Sequence, residues 1–177
     1  MRTWPLWIAA AFICAVIVHI VMVLMVPPSV MSLAMMRMAD AGAQTRVLHT
    51  PPPDASARTV VRPSPDLAYS ICLFDMSEGP LLVRAQVPET YWSVSAFAHN
   101  TDNFFVVNDQ QVPGDTFELL IRREDDEVSG HSGVPVSFAP SDKGVVLMRM
   151  LVTDRESYLA LDPIRRTATC ETLKRDG

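Results

Sequence analysis

Two hydrophobic patterns of different kinds follow one another along the chain. Residues 4–26 form a run of 23 positions without a formal charge. At 1.5 Å per residue, this run exceeds the ~20 residues needed to cross a hydrocarbon core of about 30 Å. It therefore predicts a transmembrane helix over residues 4–26, after a short tail at residues 1–3. We expect Pro27 and Pro28 to end this helix, because proline does not continue a helix easily.

A cleaved signal peptide is the main alternative for this run. The apolar core of a signal peptide is about 7–15 residues long and is followed by a small-residue cleavage site. Here the core is longer, and the nearest such site, Ala41-Gly42-Ala43, lies well beyond it. We therefore predict an uncleaved anchor.

The next two segments connect the predicted helix to a domain. Residues 27–49 are apolar and rich in methionine, which predicts an interfacial segment. Residues 50–65 contain five prolines in sixteen positions, which predicts an extended spacer that keeps the domain off the lipid. The domain itself is expected to occupy residues 66–177.

The second hydrophobic pattern consists of short β-branched and aromatic runs separated by turn residues. Thr153 and Glu156 form a T-x-x-E capping box before an apolar stretch, which predicts one short helix near the end of the chain. The fold class is therefore mainly β, an antiparallel β-sandwich of jelly-roll-like type with one C-terminal helix. The predicted strands are Ala68–Phe74, Pro80–Val87, Tyr91–Ala98, Phe104–Asn108, Thr116–Arg123, Val145–Val152 and Thr167–Leu173.

Charge narrows the possible partners. After Arg2 the chain carries 14 basic and 20 acidic side chains, a formal charge of −6. An acidic domain repels phosphates, so we expect no nucleic acid as a partner. The predicted helix makes the lipid bilayer the first partner.

Two cysteines, Cys72 and Cys170, fall in the first and last predicted strands. In an oxidising compartment they can form a disulfide, and the alternative is a pair of buried free thiols. No C-x-x-C or paired-histidine spacing occurs, so we expect no metal site. The sequence also contains no nucleophile motif, phosphate loop or dinucleotide fingerprint, so we predict no cofactor and no catalytic residue.

Several motifs in residues 61–123 resemble the bacterial family catalogued as domain of unknown function 1254. The matching runs include Arg62-Pro63-Ser64-Pro65-Asp66, Ala68-Tyr69-Ser70, Asp75-Met76-Ser77-Glu78-Gly79-Pro80, Tyr91-Trp92-Ser93-Val94 and Asn100-Thr101-Asp102-Asn103-Phe104, with Arg149-Met150-Leu151-Val152 later in the chain. The resemblance implies a β-sandwich in the bacterial envelope, with no agreed activity. Larger relatives carry a companion domain that would begin beyond Gly177, so a separately encoded envelope protein with that domain is an expected partner. The sequence departs from the family pattern at Ala98-His99 and Asn108-Asp109.

Orientation in the membrane follows from the same resemblance. The basic residues on the two sides of the helix, Arg2 against Arg37 and Arg46, are nearly balanced. The cysteines and the resemblance favour a single-pass protein of the bacterial inner membrane, with the N-terminus in the cytoplasm and the domain in the periplasm.

Two sets of residues are candidates for ligand binding. Arg62, Asp66 and Tyr69 form the first, as a structural clamp on the linker or as a site for a carboxylate held by bidentate bonds. Arg149 lies on an apolar strand, where a buried guanidinium needs a partner such as Asp66 or Asp75. The second set is either a metal or general-base site, if His99 and Asp102 (with or without Asp109) meet at one rim, or a polar turn between strands. Its members are His99, Asn100, Asp102 and Asn103.

Function is predicted only at the level of a class. The first hypothesis is a membrane-tethered β-sandwich module that binds a small ligand or a partner protein. The alternatives are a hydrolase-like enzyme whose rim site is completed by a partner domain, and a structural membrane subunit. A rim pocket with converging polar groups favours the enzyme, and a flat apolar patch favours partner binding.

Overall fold

The computed structural model describes residues 3–43, 47–52, 63–126 and 130–174. Helix α1 (Trp4–Met38) and a π-helical turn (Ala39–Ala43) come first, and helix α2 (Arg155–Arg165) lies near the end. The strands are β1 (Leu48–His49), β2 (Leu67–Asp75), β3 (Leu81–Gln86), β4 (Trp92–Ala98), β5 (Asn103–Asn108), β6 (Thr116–Arg122), β7 (Val136–Phe138), β8 (Lys143–Leu151) and β9 (Thr169–Thr172).

Helix α1 continues through Pro27 and Pro28, so the prediction that these residues end it is wrong. Each proline removes only its own N–H bond, and a helix in an apolar environment keeps the remaining bonds because free backbone groups are costly there. The hydroxyl of Ser29 adds a hydrogen bond of 2.7 Å to the carbonyl of Met25. The helical path ends instead at the π-helical turn, where Gly42 adopts the left-handed region with φ 103°.

Helix α1 is long and apolar enough to cross a membrane, by length and composition. The side chains of residues 4–26 are exposed, which is the arrangement expected of a helix that contacts lipid. An N-terminal signal sequence can meet the same criteria of length and composition, so the helix by itself is weak support for an anchor.

The strands form two sheets. The five-stranded sheet has the order β1-β2-β8-β4-β5 and is antiparallel throughout. The four-stranded sheet has the order β7-β6-β3-β9, and its strand β7 runs parallel to β6. The prediction of a mainly β fold is confirmed, but one sheet is mixed. The reason is that the chain crosses back between β6 and β7 and enters β7 in the direction of β6.

The two sheets share one core, which makes the domain a β-sandwich. In β2 buried and half-buried residues alternate, so every second side chain faces the core. Trp92 of the five-stranded sheet meets Phe117 of the four-stranded sheet edge-on, with ring centroids 5.2 Å apart. The buried side chains from both sheets include Phe74, Met76, Leu81, Val83, Trp92, Val94, Leu119, Ile121, Val146 and Met148.

A disulfide joins the sheets in the structure. It links Cys72 in β2 to Cys170 in β9, with Cα atoms 6.5 Å apart. The two strands belong to different sheets, so the bridge crosses the sandwich rather than joining neighbouring strands.

Helix α2 begins one residue later than predicted. Asp154 is the N-cap, and its side chain accepts a hydrogen bond of 2.7 Å from the backbone N–H of Ser157. The hydroxyl of Ser157 in turn accepts from the backbone N–H of Asp154 at 3.0 Å. The predicted box of Thr153 and Glu156 is therefore wrong, because aspartate one position later satisfies the same backbone groups.

The end of α1 packs directly on the outer face of the five-stranded sheet. Met31, Met38 and Ala43 bury their side chains there, together with Val145 of β8. Half-buried residues of β1, β2 and β4 complete this contact, namely Leu48, Ile71, Leu73 and Phe97. The helix is therefore attached to the domain by packing.

This packing changes the domain boundary. Strand β1 pairs with β2 ahead of the proline-rich segment, so the sheet begins before residue 66. The predicted spacer does not separate the helix from the domain, because residues on both sides of it contact the same sheet. Residues 53–62 of that segment lie outside the described part of the chain.

Candidate ligand site on the outer face of the five-stranded sheet

Strand pairing builds a polar row across the outer face of the five-stranded sheet. Tyr69 of β2 lies opposite Arg149 of β8, and Arg149 lies opposite Ser93 of β4. Ser93 in turn lies opposite Asn108 of β5. Because side chains two residues apart share a face, these residues lie on the same side as Ile71, which packs against the cluster that includes Met31, Met38 and Ala43. We call Tyr69, Arg149 and Ser93 the polar row.

Two groups in the polar row are buried without a hydrogen-bond partner in the described part of the chain. They are Nε of Arg149 and Oγ of Ser93. Arg149 is half-buried and donates from Nη2 to Oγ of Ser95 at 2.7 Å. Ser93 and Ser95 are each 1% exposed. The row therefore contains two unused polar groups on adjacent strands.

Arg149 lacks the ion pair that several arginines of the domain form. Arg84 binds Glu118 at 2.6 Å, and Arg123 binds Asp142 at 3.0 Å. Arg149 forms no ion pair with any described carboxylate. Within the described residues its guanidinium has one hydrogen-bond partner, the neutral hydroxyl of Ser95.

Neither of the predicted partners of Arg149 forms an ion pair with it among the described residues. Asp75 binds Nζ of Lys143 at 3.0 Å, at the opposite end of the β2–β8 ladder. Burial acts to raise the pKa of Asp75, but hydrogen bonds from Lys143 and Ser77 outweigh it and leave the pKa below its ordinary value. The backbone carbonyl of Asp66 accepts from the N–H of Val152 at 2.9 Å. Neither residue neutralises Arg149.

The predicted clamp of Arg62 stays a prediction, and the described residues contain a clamp at another arginine. Arg62 lies outside the described residues, and Tyr69 uses its hydroxyl to accept a hydrogen bond of 2.9 Å from the N–H of Ser64. The clamp is made by Arg165 of α2, which is 2% exposed.

Every N–H group of the Arg165 guanidinium has an acceptor. Nη1 donates to the carbonyls of Thr50 at 2.9 Å and Tyr69 at 2.8 Å. Nη2 donates to the hydroxyl of Tyr158 at 2.7 Å and to the carboxylate of Asp162, and Nε donates to the same carboxylate at 3.1 Å. Arg165 thus fixes the start of the proline-rich segment and the edge of β2 to α2.

Sequence reasoning missed this clamp, although a signal was present. Tyr158, Asp162 and Arg165 have the spacing i, i+4 and i+7, which places them on one face of a helix. The sequence could not show which groups accept hydrogen bonds from Arg165, because backbone carbonyls cannot be recognised in a sequence.

The second predicted set forms a turn. Asn100 donates from Nδ2 to Asp102 at 2.6 Å, and the N–H of Asp102 donates back to Oδ1 of Asn100 at 3.2 Å. Thr101 takes the left-handed conformation with φ 74°, and Asn103 is an exposed residue at the start of β5. These contacts agree with a polar turn.

His99 connects this turn to α1. Its Nε2 lies 2.9 Å from Oγ of Ser32. The Ser32 hydroxyl donates to the carbonyl of Pro28 at 2.7 Å, so we assign the donor role in the first contact to the imidazole N–H. The predicted addition of Asp109 is wrong, because Asp109 lies at the other end of β5 and accepts from the N–H of Trp92 at 3.3 Å.

Metal chemistry has no support in the described residues, where no group of three or more His, Cys, Asp or Glu side chains could hold an ion. A cleft of about 550 Å³ lies beside the N-terminal end of α2, between the helix and the proline-rich segment. Its lining includes Pro52, Pro65, Thr153, Arg155 and Tyr158. Arg149 and His99 do not line it.

A solved structure of another protein shares this fold. The fold is similar to the crystal structure of the VPA0106 protein from Vibrio parahaemolyticus, with a TM-score of 0.63 and 11% identity over 82% of this chain. This chain covers 35% of that protein, and at this identity the likeness concerns the fold alone.

A second crystal structure, of an uncharacterised protein from Burkholderia cenocepacia, is 18% identical with a TM-score of 0.46. The alignment covers 83% of this chain and 40% of that one. A search of curated proteins finds no match. The sequence model of the family described as "Protein of unknown function (DUF1254)" matches residues 44–172. The resemblance seen in the sequence is thereby confirmed, and the chain belongs to the DUF1254 family.

Proposed function

We propose that this protein is a binding module tethered to the bacterial inner membrane, whose periplasmic sandwich takes a small ligand on the outer face of the five-stranded sheet. The proposal rests on one observation, which is that this face is divided into an apolar part and a polar part. Helix α1 covers its apolar part, and the polar row beyond it keeps two buried groups without described partners.

The free-energy cost of the unpaired groups in the polar row favours a bound ligand there. A buried donor or acceptor left unpaired costs about 1–3 kcal/mol, and more when it is charged. An apolar residue in place of Arg149 would avoid this cost, since replacing buried charges by apolar side chains is often neutral or stabilising. A ligand that completes the hydrogen bonds offers a reason to keep the guanidinium.

The docked helix gives the site a defined position. Helix α1 reaches the sheet near His99, beside the end of the sheet where Lys143 begins β8. Arg149 lies six residues further along β8, which is roughly 20 Å at 3.3 Å per residue. The ligand is therefore held about that far from the end of the sheet where α1 contacts His99.

Topology is the first part of the proposal to test. The disulfide between Cys72 and Cys170 supports the periplasm, because disulfides persist in oxidising compartments. An alkaline phosphatase fusion after residue 50 is expected to be active. An inactive fusion, with a cytoplasmic reporter active at the same position, would reverse the orientation.

Binding is tested on the full chain purified from native membranes into lipid nanodiscs. Mass spectrometry of the released small molecules is expected to show one compound enriched over an unrelated single-helix protein prepared in the same way. Partner proteins are identified in the same sample. Finding neither a compound nor a partner above this control would contradict the proposed function.

A further inference from the structure

We infer that the ligand is a monoanionic carboxylic acid with an apolar body, whose carboxylate is bound by the guanidinium of Arg149 and the hydroxyl of Ser93. This inference rests on the proposed function and names its ligand class. The two groups are register partners on adjacent antiparallel strands, and both are unpaired among the described residues. Directly opposite side chains in such a pair have Cβ atoms about 4.5–5.5 Å apart, which suits one shared carboxylate.

The donors match a carboxylate in number and geometry. A guanidinium presents N–H groups in a planar fork that fits the two oxygens of a carboxylate, and a serine hydroxyl adds one further donor. Nη2 of Arg149 is already directed by its bond to Ser95, which fixes the plane of the fork. The site is therefore oriented before the ligand arrives.

The charge of the site favours a ligand that carries a single negative charge. Among the described residues of the polar row, Arg149 is the sole cation, so a monoanion neutralises it completely. A phosphate dianion would leave an excess negative charge in a chain whose net charge is already −5. Desolvating that excess on a buried face is costly.

The rows on both sides of Arg149 are apolar. Leu67 lies opposite Leu151 on one side, and Ile71 lies opposite Leu147 on the other. All four side chains are half-buried. Ile71 already packs against the cluster at the end of α1, so an aliphatic or aromatic body attached to the carboxylate would cover the side of Leu67 and Leu151, and an inorganic anion would not.

The experiment titrates hexanoate into the full chain in zwitterionic nanodiscs, with hexanol and inorganic phosphate as the comparison ligands. Calorimetry measures Kd for each protein, and the same titration of empty nanodiscs corrects for partition into lipid. We expect Arg149→Gln to weaken binding about tenfold or more, because a hydrogen-bonded charge pair is lost. Arg149→Lys is expected to retain the charge but lose the fork, with roughly a fivefold loss.

Ser93→Ala provides a second test that leaves the arginine in place, and about a threefold or larger loss is expected. Arg84→Gln is the matched control, because Arg84 lies on the other sheet and is paired with Glu118. Circular dichroism of each variant confirms that it folds, and Ser93→Ala keeps the test valid if an Arg149 variant does not.

The outcomes separate the two proposals. Equal hexanoate affinity in wild type, Arg149→Gln and Ser93→Ala would overturn the carboxylate site. Tighter binding of phosphate or hexanol than of hexanoate would overturn the ligand class. If native membranes yield a bound compound that Arg149→Gln retains, the proposed function stands and this inference fails.

Discussion

Arg165 offers the sharpest test of how the domain is held together. Replacing it with Met removes five hydrogen bonds from a side chain that is 2% exposed. Three of them go to neutral oxygens and contribute about 1 kcal/mol each. The bonds to Asp162 are charge-assisted, but Asp162 keeps a second bond of 2.6 Å from Arg166.

We therefore expect Arg165→Met to lower the free energy of unfolding by about 4 kcal/mol. For a chain of this size, each kcal/mol lowers Tm by roughly 2–4 °C, so a loss of about 10 °C is expected. Urea unfolding of the full chain in detergent micelles, followed by tryptophan fluorescence, measures the loss, and calorimetry gives Tm.

Arg166→Met is the matched control. Arg166 binds the same carboxylate from the next position, but its side chain is 57% exposed. Exposed ion pairs contribute little, so this variant is expected to unfold close to the wild type. Equal losses in the two variants, or a loss below about 1 kcal/mol in Arg165→Met, would refute the clamp.

The same clamp predicts a pH dependence. Burial acts to raise the pKa of Asp162, but hydrogen bonds and charges from Arg165 and Arg166 outweigh it and hold the pKa below its ordinary value. The ionised form is therefore favoured in the native state. Its contribution is present above the unfolded pKa of about 3.9 and is lost as pH falls through the lower native pKa. Arg165→Met should shift this loss to higher pH in acid unfolding curves.

Three further changes test other parts of the structure. Replacing Cys72 and Cys170 with Ser should cost about 4–5 kcal/mol in the chain-entropy model, for a sequence separation of 98 residues; free thiols in wild-type protein isolated without reductant would contradict the disulfide. Gly144→Ala should cost about 2 kcal/mol or more, because a Cβ there meets a carbonyl oxygen and a phenyl ring of the neighbouring strands; a variant as stable as wild type in urea would contradict that packing. Ser32→Ala should cost about 1 kcal/mol by removing the bond to His99, and a double-mutant cycle with His99→Leu that shows no coupling would contradict the docked helix.

The regular strands could be predicted because their sequence carries the burial pattern. Seven of the nine strands lie within two residues of the predicted limits at each end. In β2 and β8, apolar side chains at alternate positions face a core shared with the other sheet, so local hydrophobicity reports the fold. Strands β1 and β7 have two and three residues, too few for alternation to show.

The continuation of α1 illustrates a different limit. Proline is a helix breaker in general, and Pro27 and Pro28 are adjacent. The following residues still bury Met31 and Met38 on the five-stranded sheet, and this tertiary packing favours helix over the local preference. Propensity at two positions cannot anticipate a surface made of strands β1, β2, β4 and β8, which begin at residue 48 and beyond.

The two predicted sets of site residues differ in whether the sequence could predict that their members lie close together. Asp102 and Asp109 flank β5, and a six-residue strand is roughly 20 Å long, so the strand prediction alone separates these carboxylates. The polar row required more than local pattern. Tyr69 and Arg149 were predicted from the sequence as candidate ligand-binding residues. Ser93 was not, because a serine alternating with apolar residues is typical of a solvent-facing position. The three residues meet only because β8 pairs between β2 and β4, and that order depends on pairings such as that of Tyr69 with Arg149, which are 80 residues apart in the sequence.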